Sequence, residues 1–114
     1  MAKPGAREWS FETAGMLLDE VRSRTERAVK EVEPLNAERE RAAGTPAEAE
    51  VEAKLRAVVS RWIREMEALG VEVRATWRVE FDNGGGYYCW RWPEARLEWY
   101  RGYDEQDAQR IRIQ

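Results

Sequence analysis

Apolar or small residues recur at alternating intervals of three and four along residues 11–35. The repeat passes through Phe11, Ala14, Leu18, Val21, Thr25, Ala28, Val32 and Leu35. This heptad spacing predicts a long amphipathic helix of the coiled-coil type, packed lengthwise on a partner helix. Ser10 stands before the repeat and is predicted to be the N-cap. Pro34 removes a helical hydrogen bond, so we expect either a kink near Glu33 or an early end of the helix.

A second repeat of the same kind follows the segment GTPAEAE. It begins at Pro46 and passes through Val51, Leu55, Val58, Trp62, Met66 and Leu69. Gly44 is placed to end the first helix, and the spacing of Thr45 and Glu48 predicts a capping box for the second. Gly70 follows the last apolar residue and suits a left-handed C-cap. We therefore expect a long antiparallel helical hairpin over about residues 10–69.

After Gly70 the apolar residues recur at every second position, which is the period of a β-strand. The stretch VEVRATWRVEF places one set of apolar side chains on a single face: Val71, Val73, Ala75, Trp77, Val79 and Phe81. The same face continues in the next strand through Tyr88, Trp90 and Trp92, and in a third through Leu97 and Trp99. The pattern predicts an α+β fold, in which a three-stranded antiparallel β-meander over about residues 71–103 packs on the hairpin and is followed by a tail, 104–114.

Strand register limits the two turns of this meander. A loop of two residues, Asn83–Gly84, or of four, Asn83–Gly86, keeps the apolar faces together, whereas a loop of three does not. A four-residue loop from Pro93 to Arg96 places Trp90 opposite Trp99. The triple glycine is therefore predicted to form a hairpin turn. A phosphate-binding loop would need a helix after it.

The composition excludes several classes of function but does not identify one. A chain of 114 residues suits a single domain, 1–114. Charged residues make up 36% of the chain, but the net charge is −3, so the sequence predicts no basic surface that would bind nucleic acid or membranes. The absence of histidine excludes histidine-based catalysis and imidazole metal ligands, and the single Cys89 excludes an internal disulfide. No stretch reads as a signal peptide or a membrane span, so we expect a cytoplasmic protein without a cofactor.

Four segments of the chain resemble an uncharacterised prokaryotic family, domain of unknown function 2203. They are WSFETAGMLL, WIREMEALGVEV, VEFDNGGGYYCWRWPE and LEWYRGYDE, and together they span nearly the whole chain. The resemblance supports the fold and implies no activity. In the family pattern a histidine, an acidic pair and an arginine follow the Trp-Tyr strand. Here Arg101 takes the histidine position, while Asp104, Glu105 and Arg110 match the remaining positions.

The face of the sheet opposite the apolar one is the first candidate site. It is predicted to carry Arg78, Tyr87, Arg91, Glu98 and Tyr100, a polar and aromatic surface on which a small anionic ligand can bind. Cys89 is predicted to lie beside Arg78 and Arg91, which would lower the pKa of its thiol.

The second candidate site is the polar C-terminal end of the chain. Arg101 and Arg110 are its predicted ligand-binding residues, and Asp104 with Glu105 would bind a divalent metal. The alternative at both places is a solvated surface of paired charges.

Two functional hypotheses remain. The first is a small binding or interaction module without catalysis, which forms a homodimer through a four-helix core because the helices are longer than the sheet can cover. The alternative is a protein, possibly an enzyme, that binds a small ligand or a divalent metal at the sheet face or the acidic C-terminal end.

Overall fold

The computed structural model describes residues 8–105 and 110–113. Two helices, α1 (Phe11–Ala42) and α2 (Glu48–Leu69), form a hairpin that packs on an antiparallel sheet. Within the described residues the sheet has five strands in sequential order: β1 (Glu72–Ala75), β2 (Arg78–Asp82), β3 (Gly86–Arg91), β4 (Trp99–Gly102) and β5 (Ile111–Arg112). The predicted α+β class, with a helical hairpin before the sheet, is confirmed, and the strand count of three is wrong.

The start of α1 is capped as its sequence predicts. The Ser10 hydroxyl accepts a hydrogen bond from the Thr13 backbone N–H at 3.0 Å, and the Thr13 hydroxyl accepts one from the Ser10 N–H at 2.9 Å. This reciprocal pair satisfies two amides that have no helical partner. Pro34 lies inside α1, which continues to Ala42, so an early end of the helix at this proline is wrong.

The turn between the helices differs from the predicted capping box. α2 begins at Glu48 after Ala47, which provides no side-chain cap. Instead the Thr45 hydroxyl donates to the Ala42 carbonyl at 2.6 Å and so closes the end of α1. At the other end of α2, Gly70 has a φ of 93° and forms the predicted left-handed cap.

The core lies between the helices and one face of the sheet, which we call the inner face. From α1 the buried members of the predicted repeat are Ala14, Leu18, Val21, Thr25 and Ala28, and from α2 they are Val51, Trp62 and Met66. Thr25 is tolerated there because its hydroxyl accepts from Trp62 Nε1 at 2.9 Å and donates to the Val21 carbonyl at 2.7 Å. Phe11, predicted to belong to this buried repeat, is 50% exposed.

A tight turn divides the stretch predicted as the first strand. VEVRATWRVEF forms β1 and β2, joined at Thr76 and Trp77, with Val73 opposite Val79. Trp77 adopts a left-handed φ of 63°, an uncommon conformation for a residue other than glycine. Its ring packs edge-on against Trp62, with 5.0 Å between the ring centroids.

The two later turns test the predicted registers. β2 and β3 pair with Val79 opposite Trp90, which confirms the four-residue loop Asn83–Gly86. β3 and β4 pair with Cys89 opposite Trp99, so the prediction that Trp90 lies opposite Trp99 is wrong by one residue. This slip puts Trp99 on the outer face of the sheet, away from the helices, and Tyr100 on the inner face.

Trp9 fastens the start of the chain to the sheet. Its backbone N–H donates to the Asp82 carbonyl at 2.6 Å, and its indole N–H donates to the Gly70 carbonyl at 3.2 Å. The ring meets Phe81 edge-on at 5.5 Å. The residue before the N-cap of α1 is therefore bonded both to Gly70, which precedes β1, and to Asp82, the last residue of β2. No helix in the described part of the chain is long and apolar enough to cross a membrane.

Candidate functional site

The outer face of the sheet carries most of the candidate chemistry. The strand register places one set of side chains there: Arg78, Glu80, Asp82, Tyr87, Cys89, Arg91, Trp99, Arg101 and Arg112. Several of these polar side chains are buried, since Glu80, Asp82, Cys89 and Arg101 are each at most 5% exposed. The outer face is thus a packed polar layer, in contrast to the solvated surface that sheet alternation alone would suggest.

A bidentate ion pair occupies the centre of the outer face. Arg101 Nε donates to Glu80 Oε2 at 2.6 Å, and its Nη2 donates to Oε1 at 2.8 Å. The remaining guanidinium nitrogen donates to the backbone carbonyls of Gly102 and Glu105 at 3.3 and 2.5 Å. Hydrogen bonding to Glu80 raises the pKa of Arg101. The pair fixes the chain after β4 onto β2.

Cys89 lies beside this pair, with its thiol 3.7 Å from Glu80 Oε2. Burial, together with the negative charge of Glu80, raises the pKa of the thiol to about 11. The prediction that neighbouring arginines lower this pKa is therefore wrong in sign, because desolvation outweighs their attraction. A thiol that stays protonated at neutral pH is a poor nucleophile.

Tyr103 covers one end of the outer face. Its hydroxyl donates to Asp82 Oδ1, and its ring packs edge-on against Tyr87 with 5.1 Å between centroids. The hydrogen bond to Asp82 raises the pKa of Tyr103 to about 12. Tyr87 in turn lies under the Arg101 guanidinium, 4.8 Å from the ring centroid. These contacts close this end of the face with aromatic rings.

The opposite end of the outer face carries an excess of positive charge. Arg78 and Arg91 lie directly opposite each other on β2 and β3. Burial, and then the positive charges of Arg91 and Arg110, lower the pKa of Arg78. Within the described residues the Arg91 side chain has no hydrogen bond or ion pair, and its Nε is buried. Cross-strand pairs of like charge are destabilising, so this end of the face favours an anion.

Trp99 forms the platform beside these arginines. The guanidinium groups of Arg110 and Arg112 lie 4.7 and 5.0 Å from its ring centroid. Arg110 also reaches Glu94 Oε2 at 3.4 Å, while the other oxygen of Glu94 accepts from the Arg91 backbone N–H at 2.9 Å. The carboxylate of Glu94 is therefore already engaged by Arg110 and by the turn that follows β3.

The structure brings together five of the predicted ligand-binding residues: Arg78, Tyr87, Arg91, Arg101 and Arg110. Tyr100 lies on the inner face beside Tyr88, and Glu98 pairs with Arg112 at the edge of the sheet, at 2.6 Å. The prediction omitted Glu80, Asp82 and Trp99. Strict alternation with Arg78 identifies the first two, whereas nothing in the sequence pattern separates Trp99 from a core tryptophan.

The predicted metal ligands Asp104 and Glu105 are exposed at the end of β4. Glu105 Oε2 accepts a hydrogen bond from the Gly102 backbone N–H at 3.1 Å. Among residues 8–105 and 110–113, no group of three or more His, Cys, Asp or Glu side chains is placed to hold a metal ion. The Glu105 carboxylate thus has a structural contact within its own turn.

Comparison with protein families gives a match over nearly the whole chain. The model of a family described as an uncharacterized conserved protein (DUF2203) matches residues 7–113. Neither a curated protein nor a solved structure matches the chain. The match covers every element of the fold and agrees with the resemblance seen in the sequence.

Proposed function

We propose that this chain, which belongs to the DUF2203 family of uncharacterised conserved proteins, binds a small anion at Arg78 and Arg91 on the outer face of its sheet. One observation carries the proposal: Arg91 has a buried Nε with no hydrogen-bond partner among the described residues. A buried donor left unsatisfied costs about 1–3 kcal/mol, and more when it is charged. An oxyanion at this position supplies the missing acceptor and separates the two like charges.

Most of the acidic groups near Arg78 and Arg91 already have partners within the protein. An external anion is therefore the expected counter-charge for these two arginines. Glu80 accepts both hydrogen bonds from Arg101, and Glu94 binds Arg110 and a backbone amide. Glu72 lies on the far side of Glu80, opposite it on β1. The local field at Arg78 is therefore dominated by Arg91 and Arg110 after burial.

The ligand class follows from the guanidinium groups. Arginine presents planar pairs of N–H donors that match the oxygens of phosphate and carboxylate groups. Two arginines on neighbouring strands can hold such a group from both sides, and the guanidinium of Arg110, stacked on Trp99, adds positive charge near them. The expected ligand is a small phosphate-bearing or carboxylate-bearing molecule, bound without a chemical step.

Isothermal titration calorimetry tests this site with inorganic phosphate and citrate at constant ionic strength. We expect saturable binding to the wild type and its loss in Arg91→Gln and in Arg78→Gln. Arg56→Gln, at an exposed position of α2, is the matched control and should bind as the wild type does. Sulfate and phosphate stabilise proteins in general, so a melting temperature alone is a poor readout. Equal heats from wild type and Arg91→Gln would refute the site.

We also propose that the helical hairpin forms a homodimer with a four-helix core of coiled-coil type. The 32 residues of α1 span about 48 Å at 1.5 Å per residue, equal to the longest dimension of the molecule, 48 Å. The half of the hairpin next to its turn contains apolar residues that are only half-buried, among them Val32, Leu35 and Leu55. Leu55 and Val59 line an open, largely apolar groove on α2. A second copy buries this surface symmetrically.

Light scattering coupled to size-exclusion chromatography measures the mass at micromolar concentration. A dimer is expected for the wild type and a monomer for Val59→Glu, with unchanged helicity by circular dichroism. Arg64→Glu, which also places a glutamate on α2 but at an exposed position, should remain a dimer. A monomeric wild type would refute the dimer and leave the anion site untouched.

A further inference from the structure

A cleft on the helical side of the molecule contains a second set of polar groups. It lies between α1 and the segment that follows β3, and it has a volume of about 190 Å³. Its lining consists of Asp19, Arg22, Ser23, Glu26 and Trp92. The four helical residues follow intervals of three, one and three, so they project from one stripe of α1 next to its buried repeat.

The polar side chains of this cleft make no contacts with one another that qualify as hydrogen bonds or ion pairs. Within the described residues the side chains of Asp19, Arg22, Ser23 and Glu26 have no such partner. The Nε of Arg22 is also buried. Two other arginines of the hairpin do have carboxylate partners: Arg24 pairs with Glu20 at 2.6 Å, and Arg61 pairs with Glu31 at 2.6 Å.

The arrangement of charge defines the ligand. Carboxylates stand at both ends of the stripe, about 10 Å apart along the helix at 1.5 Å per residue, with a guanidinium and a hydroxyl between them. The exposed carboxylates at the two ends can accept hydrogen bonds from a ligand, and the buried Nε of Arg22 at the centre lacks an acceptor. The half-buried ring of Trp92, packed against the core, supplies an apolar surface opposite the helix.

We propose that this cleft binds a neutral carbohydrate of one or two rings. Each sugar hydroxyl both donates and accepts, so one ligand satisfies the carboxylates and Arg22 together. The C–H face of a pyranose carries slight positive charge and stacks on the negative face of the Trp92 indole. A neutral ligand also avoids the desolvation cost that an ion would pay on entering the cleft.

Charged ligands fit this cleft less well. An anion would meet Asp19 and Glu26, and a diamine that reached both carboxylates would lie across Arg22. The distance between the two carboxylates along the helix exceeds the reach of a single ammonium group. The carbohydrate site is independent of the anion site, because Arg91 is on the other face of the sheet.

Saturation-transfer difference NMR on the full chain tests the proposal with glucose, galactose, maltose and trehalose. Tryptophan fluorescence, titrated with the same sugars, gives a second direct readout. Thermal shift is unsuitable because sugars stabilise folded proteins by exclusion from their surface. At least one sugar should give a saturable signal that Asp19→Asn and Arg22→Gln weaken about tenfold or more, the loss expected for one hydrogen bond to a charged group.

Glu33→Gln, at an exposed position of the same helix, is the matched control and should bind as the wild type does. Arg91→Gln should also retain sugar binding while losing the anion, which separates the two sites. The proposal is overturned if no sugar gives a saturable signal, or if the signal persists unchanged in Asp19→Asn and Arg22→Gln. Saturable binding of putrescine or glycine at the cleft, with none of the sugars, would also overturn it.

Discussion

Arg101 and Glu80 form a bidentate ion pair whose side chains are only 5% and 6% exposed. The pair joins β4 to β2 across the strand that separates them, and Arg101 extends it to the carbonyls of Gly102 and Glu105. A buried charge is tolerated when its hydrogen-bonding groups have partners, and here both carboxylate oxygens and all three guanidinium nitrogens do. Arg101 therefore helps to hold the segment after β4 on the sheet, together with the hydrogen bond from Tyr103 to Asp82.

Glu80→Gln should lower the free energy of unfolding by about 3–5 kcal/mol, because it leaves the buried Arg101 without its counter-charge. Urea denaturation followed by tryptophan fluorescence measures this change. Glu31→Gln breaks an exposed ion pair with Arg61 and serves as the control, with an expected loss below about 1 kcal/mol. Similar losses for the two variants would show that the buried pair contributes no more to stability than an exposed pair does.

The Cys89 thiol should react slowly with alkylating reagents. A pKa of about 11 leaves, at pH 8, roughly a hundredfold less thiolate than the ordinary pKa of 9.0 would. Steric burial slows the reaction further, so modification by iodoacetamide should follow unfolding of the protein. Rapid labelling of the folded chain at pH 8 would contradict both the burial and the raised pKa.

The same thiol makes stability depend on alkaline pH. Because the folded pKa of Cys89 is raised from 9.0 to about 11, the folded state holds the proton more tightly than the unfolded chain does. The resulting stabilisation is complete below pH 9 and is lost as the pH rises towards 11. The free-energy difference between wild type and Cys89→Ala should shrink over this range. A constant difference would show that the thiol titrates normally.

Much of the fold can be predicted because its patterns have a single structural meaning. The alternation of three and four predicts both helices, and the parity of the apolar residues limits the loop of the first long hairpin to two or four residues. The stretch containing Trp77 is different, because a register shift between Val73 and Ala75 compensates for the two-residue turn and keeps the apolar residues at alternate positions. One long strand and a tight hairpin therefore give the same sequence pattern, and the left-handed conformation of Trp77 leaves no signal in the residue type.

The candidate site is harder to predict because the register of β4 depends on the conformation of the loop that precedes it. Seven residues separate β3 from β4, and they include a tight turn in which the Glu94 N–H donates to the Arg91 carbonyl at 2.8 Å. A slip of one residue exchanges the faces of Trp99 and Tyr100. The stacking of Arg110 and Arg112 on Trp99 then makes an outward-facing tryptophan stable, which hydrophobicity alone does not predict.

Trp9→Ala should be strongly destabilising, although the residue precedes the first helix. The side chain is 4% exposed, packs on Phe81 and bonds to Gly70, so its removal leaves a large cavity and an unsatisfied carbonyl. The expected loss is about 3–5 kcal/mol in thermal or urea unfolding. Phe11→Ala, two residues later and half exposed, should cost less than half as much. Equal losses would exclude Trp9 as an anchor of the core.

Gly86→Ala and Gly15→Ala should change stability in opposite directions. A Cβ at Gly86 would lie 2.6 Å from the Arg101 backbone carbonyl, and the pairing of β3 with β4 cannot open there without moving Arg101 off Glu80. Gly15 lies inside α1 with no atom within 4 Å of an added Cβ, so alanine should stabilise the helix by about 0.5–1 kcal/mol. Urea unfolding of the two variants measures both changes in the free energy of unfolding, which should have opposite signs. A stable Gly86→Ala protein would mean that β4 lies farther from β3 at this position than the structure places it.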